Sequence, residues 1–546
     1  MVNVDPGQNR TQDTVAEISA AVESGDLGRA GRLSNLAINK GLRHPTVFNA
    51  RGFALQASGY HQEAVKDFEM AASMAPPNPT LLNAIGVSLI ALSRPEEALK
   101  HFDASIALNL RHSPSYFRRG LAQALLGNHD AAEESYGKAI DLDPNNADAL
   151  ASMASIAARK RQNERARQLA EKALTLKPGD LTASYALAMV DSAERDHTGA
   201  EAKLRTLLLD TKVGPQSRSS ALGLLGDSLD GQGRYSEAFD CYLLENAELR
   251  QSSTGQVSEG RAVGTINSLT EYFRATEAAK WASVNDEEDS DGGTEQHIFL
   301  LGFMRSGTTL LEQVLASNPK VVATEEKGTL NEPGRIFMNG PDGLDTLASL
   351  DDDALKHHRK VYWDHVRGLG LDVRGKVYVD KQPLNTIKLP LISKLFPKAK
   401  VLFALRDPRD VVFSCFRRHF RVNVTMFEFL DLKDAAEFYA GIMELATVYR
   451  EKLPLNIFDH RYEDMVADFE SRVRAVCDFI GVPWSDSMRE FNKLAPVVDL
   501  RSPSAAQVRR PLYAEGIGQW RNYSGQLAPI LPVLAPWVEK FGYPKD

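Results

Sequence analysis

The strongest constraint on the fold is a repeat of small residues through the first half of the chain. Alanine occupies six positions that lie 34 residues apart: Ala30, Ala64, Ala98, Ala132, Ala166 and Ala200. A fixed period of this length is typical of stacked helix pairs, in which each pair buries its apolar face only against its neighbours. The sequence therefore predicts a helical solenoid in this half of the chain.

Other positions keep the same 34-residue register. They comprise small residues (Gly52, Gly86, Gly120, Ala154, Ala188), large aromatic residues (Phe68, Phe102, Tyr136) and prolines that end second helices (Pro76, Pro144, Pro178). Because of these residues, the segment from about residue 10 to residue 250 resembles the tetratricopeptide repeat (TPR) family. The resemblance implies a right-handed superhelix with a concave surface for an extended peptide or a protein. A spacer or dimerisation arm without a ligand is the alternative interpretation.

The register stops after about Arg250, which indicates a second kind of domain. A helical segment covers residues 271–281, and residues 285–293 form an acidic linker that ends in glycine. We therefore predict a TPR array at 1–250, a helical connector and acidic linker at 251–293, and a second domain at 294–546.

Strand-like and helical segments alternate in the second domain. The predicted strands are 298–301, 376–380, 401–405 and 455–458, and the predicted helices include 386–396, 435–450 and 469–481. Strands separated by helices favour a mostly parallel sheet that is covered on both faces. The fold class is thus an α-solenoid followed by a P-loop-like α/β domain, with ligands at the carboxyl ends of the strands.

Composition excludes several classes of protein. A net charge of −8 argues against a general nucleic-acid binder. The three cysteines match neither a metal motif nor a disulfide framework, which favours a reducing compartment. The first residues do not read as a signal peptide and no apolar run is long enough for a membrane span, so we expect a cytoplasmic protein.

The first chemical motif follows the strand at 298–301 directly. It reads Gly302-Phe303-Met304-Arg305-Ser306-Gly307-Thr308-Thr309 and leads into a helical stretch. Loop amides and a helix N-terminus in this context bind phosphate-like anions. The spacing equals that of a nucleotide-binding P-loop, but Thr308 stands where that motif has lysine, and Arg305 supplies the nearest positive charge. The loop therefore predicts an anion site without a magnesium-bound triphosphate.

A second anion motif begins where the strand at 401–405 ends. Arg406 directly follows this strand, and Ser414 comes one or two helical turns later. A guanidinium and a hydroxyl at this edge can bind the same set of anionic oxygens. Arg409 is either part of this site or an ordinary ion-pair residue.

The two motifs, in this order, resemble those of the sulfotransferase superfamily. The resemblance implies 3′-phosphoadenosine 5′-phosphosulfate (PAPS) as co-substrate and no metal. It assigns the 5′-phosphosulfate to Arg305, Ser306, Gly307, Thr308 and Thr309, and the 3′-phosphate to Arg406 and Ser414.

Between the motifs lies Tyr378-Val379-Asp380-Lys381-Gln382-Pro383, again a strand followed by a turn. It resembles the Lys-Asp-Pro segment of tyrosylprotein sulfotransferases, with Gln382 as a departure from that pattern. The resemblance makes Lys381 a catalytic cation that stabilises the bridging oxygen, alongside Arg305. An ordinary solvated lysine is the alternative.

The general base is expected after the helix that follows the first motif. Tyrosylprotein sulfotransferases carry a glutamate there, and a gap-free alignment on Arg305 places Glu326 at that position. Glu325 is the second candidate, and His419 a weaker third. Both glutamates can also be read as surface charges.

The resemblance extends over residues 296–523 and adds two binding residues. It places Tyr462 beside the adenosine diphosphate moiety and makes Ser504 a further contact to the 3′-phosphate. The family's basic residue before Gly516 is absent here, and Arg509 or Arg510 is a candidate replacement.

These observations predict a sulfotransferase that moves a sulfuryl group from PAPS to an acceptor hydroxyl. A peptide or protein tyrosine recruited by the TPR array is one acceptor, and a glycan, lipid or small phenol is another. A P-loop nucleotide kinase and a non-catalytic TPR adaptor with a nucleotide-binding domain are the rival functions. The sequence does not indicate the oligomeric state.

Overall fold

A computed structural model of the chain describes residues 6–76, 78–211, 213–253, 262–282, 292–420, 422–494 and 515–545. The chain forms two compact units, which divide between Leu209 and Asp210. The predicted boundaries at 250 and 294 stay predictions, because compactness alone does not separate functional domains. No helix in the described ranges combines the length and the apolar character needed to cross a membrane.

The first unit is built from helices arranged in consecutive antiparallel pairs. Its described helices are α1 (Pro6–Glu23), α2 (Leu27–Asn39), α3 (Pro45–Ala57), α4 (His61–Met74), α5 (Pro79–Ala91), α6 (Pro95–Leu108), α7 (Ser113–Leu125), α8 (His129–Leu142), α9 (Ala147–Arg159), α10 (Asn163–Leu176), α11 (Leu181–Ala193) and α12 (His197–Leu209). The predicted TPR-like solenoid is therefore confirmed.

Local sequence explains where these helices begin and end. Asn78, Asn146 and Asp180 each accept a backbone N–H at a helix start. The helices α4, α8 and α10 end two residues before Pro76, Pro144 and Pro178, because proline can neither donate a backbone hydrogen bond nor continue a helix.

The 34-residue register reflects a small residue that faces a large one within each early pair. A side-chain carbon added at Gly52 would lie 2.5 Å from the Phe68 ring, and one at Gly120 would lie 2.6 Å from the Tyr136 ring. Both aromatic side chains are buried. Each glycine therefore sets how closely its two helices approach.

The second unit begins with the helices α13 (Pro215–Gly231), α14 (Tyr235–Ser253) and α15 (Ala262–Ala275). Its five-stranded parallel sheet has the order β2-β3-β1-β4-β5. The strands are β1 (Gln296–Gly302), β2 (Val321–Glu325), β3 (Val377–Lys381), β4 (Lys400–Leu405) and β5 (Asn456–Arg461). The four predicted strands are present, whereas the short strand β2 was not predicted.

Helices cover the sheet and connect its strands. They are α16 (Thr308–Ala316), α17 (Asn331–Phe337), α18 (Pro341–Ala348), α19 (Asp352–Gly368), α20 (Leu389–Leu395), α21 (Pro408–Phe416), α22 (Leu432–Lys452), α23 (Tyr462–Ala467), α24 (Phe469–Ile480), α25 (Phe491–Leu494), α26 (Ser524–Leu527) and α27 (Leu531–Lys540). Short 3₁₀ helices lie at Ala278–Trp281, Pro383–Lys388, Met426–Leu430, Asp486–Glu490 and Gln519–Tyr523. One core packs β1, β3 and β4 against α16 and α24, which confirms the predicted α/β fold.

The glycine–aromatic pairs make a test of the solenoid. We expect Gly52→Ala to destabilise the protein by about 1–3 kcal/mol, because the added methyl group overpacks against Phe68. Gly137→Ala is the control, since a side-chain carbon there meets only Met153 at 3.5 Å. Alanine should be neutral or slightly stabilising at that helical position. Urea unfolding measures both changes, and equal effects would contradict the packing argument.

Candidate active site

The predicted site residues meet at one edge of the sheet. All strands are parallel, so their carboxyl ends lie at the same edge. This edge carries the residues that end or follow the strands: the loop 303–307, Glu326, Lys381, Arg406 and Tyr462. Parallel topology thus brings together motifs that are far apart in sequence.

The loop after β1 has a strained and well-anchored backbone. Arg305 has φ 65° and Gly307 has φ 93°, both in the left-handed region. The Thr386 hydroxyl donates to the Gly302 carbonyl at 2.8 Å and accepts from the Gly302 N–H at 3.2 Å. The loop ends at the N-terminus of α16, where backbone N–H groups without intrahelical partners favour an anion.

Tyr462 closes the loop from the side of β5. A side-chain carbon at Gly307 would lie 2.7 Å from the Tyr462 ring, so only glycine allows this approach. The Arg406 guanidinium lies 5.2 Å from the centre of the same ring. Tyr462 therefore contacts both predicted anion motifs.

The two anion motifs form one positively charged cluster. Arg406 donates to the Arg305 carbonyl oxygen at 2.9 Å, and Arg305 Nε donates to the Ser414 hydroxyl at 3.1 Å. Arg305 is partly exposed, but protein atoms surround its guanidinium. Burial and, to a smaller extent, the neighbouring charges of Arg418 and Arg406 lower the pKa of Arg305 to about 9. The cluster is suited to bind an anion.

Arg418 is a residue of this cluster that sequence reasoning missed. Among the neighbouring charges, its guanidinium has the largest effect on Arg305. It follows α21, four residues after Ser414. Because Arg418 lies beyond the last residue of α21, helical spacing gave no signal for it.

Arg409 has a structural role in this arrangement. Its buried guanidinium pairs with Asp407 at 2.7 Å and donates to the Pro544 carbonyl at 2.6 Å. Of the two interpretations that the sequence left open, these contacts support the ion pair. The neighbouring Asp410 accepts the backbone N–H groups of Gly518 and Trp520, at 2.6 and 2.9 Å, and so holds that segment next to α21.

Lys381 lies in a cluster of three carboxylates and is not a solvated lysine. Its side chain is fully buried, and its ammonium lies 2.9 Å from Glu326, 3.2 Å from Glu312 and 3.6 Å from Glu325. Burial alone would lower its pKa, but the three carboxylates outweigh burial and raise the pKa of Lys381. The lysine therefore stays charged at neutral pH.

Glu312 belongs to this cluster and was not predicted. It lies on α16, and its side chain is only 3% exposed. Burial raises the pKa of Glu312 to about 7, although Lys381 opposes the shift. A lone glutamate in an amphipathic helix normally indicates a solvated face, so the sequence carried no clear signal for it.

Glu326 is the most exposed carboxylate of the cluster. Its side chain is 42% exposed, against 17% for Glu325. Its backbone has φ 47°, and its N–H donates to the Lys381 carbonyl at 2.9 Å. Such a conformation in a residue other than glycine is costly and is often found at functional sites.

A cavity of about 460 Å³ opens beside Glu326. Its described lining is mainly polar and comprises Glu326, Lys327, Gly328, Asn331, Gln382, Leu384, Asn385, Ile387, Lys388, Asn423, Thr425 and Met426. The cavity is large enough for a small acceptor group.

The remaining predicted residues do not join the described site. Ser504, Arg509 and Arg510 lie outside the described residues. His419 lies 2.9 Å from Glu245 on α14, so an acid of that helix engages the weaker candidate base.

Comparison with known proteins agrees with this geometry. Residues 297–486 match the sequence profile described as the Sulfotransferase family. Residues 113–146 and 135–168 match tetratricopeptide repeat profiles. Residues 297–486 are a sulfotransferase-family domain.

Three relatives illustrate the similarity. The chain is 27% identical over 355 residues to an uncharacterized protein of Aquifex aeolicus, covering 63% of this chain but only 44% of that protein. It is 23% identical over 278 residues to protein-tyrosine sulfotransferase A of Caenorhabditis elegans, covering 47% of this chain and 69% of the relative. It is 25% identical over 264 residues to protein-tyrosine sulfotransferase 1 of Danio rerio, covering 45% of this chain and 72% of the relative.

Solved structures that resemble the chain include the TPR protein YrrB. It is 24% identical, covers 31% of this chain and 88% of its own, and has a TM-score of 0.27.

The carboxylate cluster makes the stability of the sulfotransferase-family domain depend on pH. The raised pKa means that folded Glu312 keeps a proton between pH 4.5 and about 7, whereas the unfolded chain releases it. Stability should therefore fall as pH rises through this interval. Between about pH 5 and about pH 8, the free energy of unfolding of the wild type should fall by up to roughly 3 kcal/mol relative to that of Glu312→Gln.

Urea unfolding at the two pH values measures this difference. The exposed Glu332 on α17 supplies the control variant Glu332→Gln, which should track the wild type. If the difference in unfolding free energy between the wild type and Glu312→Gln did not change with pH, this would contradict a buried Glu312 that binds a proton.

Proposed function

We propose that this protein is a sulfotransferase that takes its sulfuryl group from PAPS and transfers it to an acceptor hydroxyl. The observation that carries the proposal is the contact between the two anion motifs, in which Arg305 and Arg406 lie side by side and Ser414 bonds to Arg305. The sulfotransferase-family match and the protein-tyrosine sulfotransferase relatives support the same activity.

The residues present fit a ligand with two anionic ends. Arg406 Nε is buried without a hydrogen-bond partner, which is costly unless a ligand oxygen accepts from it. Arg305 and Arg418 add positive charge beside it. We assign Arg406 and Ser414, with Arg418, to the 3′-phosphate, and Arg305, Ser306, Gly307, Thr308 and Thr309 to the 5′-phosphosulfate. Tyr462 is assigned to the wall of the nucleotide site.

When bound, PAPS supplies a sulfuryl group whose bond to the 5′-phosphate breaks as the acceptor oxygen bonds to sulfur. In this reaction Glu326 accepts the proton of the acceptor hydroxyl. Its carboxylate is the most exposed of the three around Lys381 and lines the cavity. A base must reach its proton directly, and this exposure favours Glu326 over Glu325.

Lys381 keeps a positive charge at the edge of the sheet. Its ammonium is oriented by the three carboxylates. Its backbone ends β3, which pairs with β1, the strand that leads into the anion loop. A fixed cation at this edge stabilises negative charge that develops on a departing oxygen. Arg305 supplies the second such charge from the loop.

The TPR-like array is proposed to bind a protein or peptide, since this is what such repeats ordinarily do. A tyrosine in a recruited protein is then the acceptor that agrees best with the relatives. A TPR adaptor that binds PAPS without transferring sulfuryl is the second candidate. The match to an enzyme family covers only part of this chain, so it does not exclude the adaptor.

The cofactor assignment makes a binding prediction. Arg305→Ala and Arg406→Ala should each weaken binding of 3′-phosphoadenosine 5′-phosphate by about 10–100-fold, because each removes a charge-assisted contact. Titration calorimetry measures the affinities. Arg335→Ala, at an exposed position of α17, is the control and should bind normally. Unchanged affinity in both site variants would exclude the assignment.

The base assignment makes a separate prediction about turnover. Glu326→Gln preserves size but removes the proton acceptor, so transfer from labelled PAPS should fall by about 10²–10⁴-fold. Affinity for 3′-phosphoadenosine 5′-phosphate should stay nearly constant. A phenol and a cell extract serve as acceptors, with Glu332→Gln as control. If Glu326→Gln kept near-normal turnover while Glu325→Gln lost turnover, the general base would be Glu325. Wild-type binding without any transfer would support the adaptor.

A further inference from the structure

The helix pair α13–α14 follows the last pair of the first unit in sequence but belongs to the second unit. Helix α13 begins at Pro215, 34 residues after α11 begins at Leu181. Its partner α14 has 19 residues, against 13 in α12. Compactness nevertheless groups both helices with the sulfotransferase-family domain.

Helix α14 contacts the end of α21 through buried polar side chains. Asn246 donates to the Phe416 carbonyl at 2.9 Å, and both residues are buried. That carbonyl is among the last of α21, which have no partner within the helix. Asn246 therefore supplies the hydrogen bond that the end of α21 needs.

The neighbouring residues of α14 contact the same segment. Glu245, whose side chain is 2% exposed, lies 2.9 Å from His419. Phe239 stacks on Phe416 with ring centres 5.6 Å apart. Three side chains of one helix thus reach the segment between the end of α21 and His419.

Helix α13 adds two carboxylates to this contact. Asp227 lies 3.2 Å from Arg418, and Asp230 lies 3.5 Å from Arg417. Burying such charges costs free energy that apolar packing would avoid. Removing one partner of such a pair is costly, because the other charge is then left without its partner.

The same segment carries groups of the proposed 3′-phosphate site. Ser414, two residues before Phe416, accepts from Arg305 at 3.1 Å. The charge of Arg418, whose guanidinium also pairs with Asp227, lowers the pKa of the same arginine. One short segment is therefore held by α13–α14 and also carries Ser414 and Arg418, which are assigned to the 3′-phosphate.

We propose that Asn246 and Glu245 are positioning residues, through which a TPR-like helix pair sets the geometry of the 3′-phosphate site. This inference rests on the proposed function. It makes α13–α14 part of the transferase and not the last member of a separate binding array. The 3′-phosphate contacts should then be more sensitive to these helices than the 5′-phosphate contacts.

The test compares two nucleotides in the full-length protein. Adenosine 5′-phosphate lacks the 3′-phosphate, so the ratio of its affinity to that of 3′-phosphoadenosine 5′-phosphate isolates the 3′ contact. Asn246→Leu keeps the size of the side chain and its zero charge but removes the donor. The bisphosphate should bind about tenfold more weakly, while adenosine 5′-phosphate changes less than about twofold.

Two further variants complete the test. Leu244→Ala, two residues away and 55% exposed, should leave the ratio unchanged. Glu245→Gln retains a hydrogen-bond acceptor for His419, so it should keep most of the preference for 3′-phosphoadenosine 5′-phosphate over adenosine 5′-phosphate. Glu245→Ala should lose this preference. If Asn246→Leu does not fold, Asn246→Ser, with a shorter donor, is measured in its place.

Three results would overturn the proposal. An unchanged ratio in folded Asn246 and Glu245→Ala variants would show that the helices do not position the site. Equal weakening of both nucleotides would show a general structural role. A wild type that binds neither nucleotide would remove the proposed function as well, which distinguishes that failure from the first two.

Discussion

The accumulation of positive charge beside the loop after β1 is the constraint on which the second unit depends. Arg305 lies among protein atoms next to Arg406 and Arg418, and burial together with these charges lowers its pKa. Such a cluster is unfavourable by itself and becomes favourable when an anion is bound. The parallel sheet makes the cluster, because it aligns the ends of β1 and β4.

A second charge cluster, of opposite character, lies on the other side of β1. Around Lys381, three carboxylates surround one ammonium, and the most exposed carboxylate faces the cavity. Helix α16 connects the two clusters, since it begins at the anion loop and carries Glu312 one turn further on. The helix thus joins the proposed anion site to the carboxylates around Lys381, among which Glu326 is the proposed base.

The first unit follows a different principle. Three of its helix pairs, α3–α4, α5–α6 and α7–α8, meet through a glycine that faces an aromatic ring, and this contact repeats every 34 residues. Local periodicity is enough to predict such an array, because each repeat packs mainly against its sequence neighbours. Four strands of the second unit were also predicted, but β2 was not. It has only five residues with incomplete burial, and so lacks a strong strand pattern.

The sequence by itself determined the repeat, because the repeat is a local pattern with a fixed spacing. It also located the two anion motifs, and the resemblance to tyrosylprotein sulfotransferases pointed to Glu326; the roles of these residues stay predictions. It did not reveal Glu312, whose partner Lys381 lies far away in sequence and reaches it only through the sheet. It also predicted that the repeat array extends to residue 250, a range that includes α13–α14. Only the tertiary structure placed this pair on α21, since buried contacts such as that of Asn246 with Phe416 join residues that no local pattern relates.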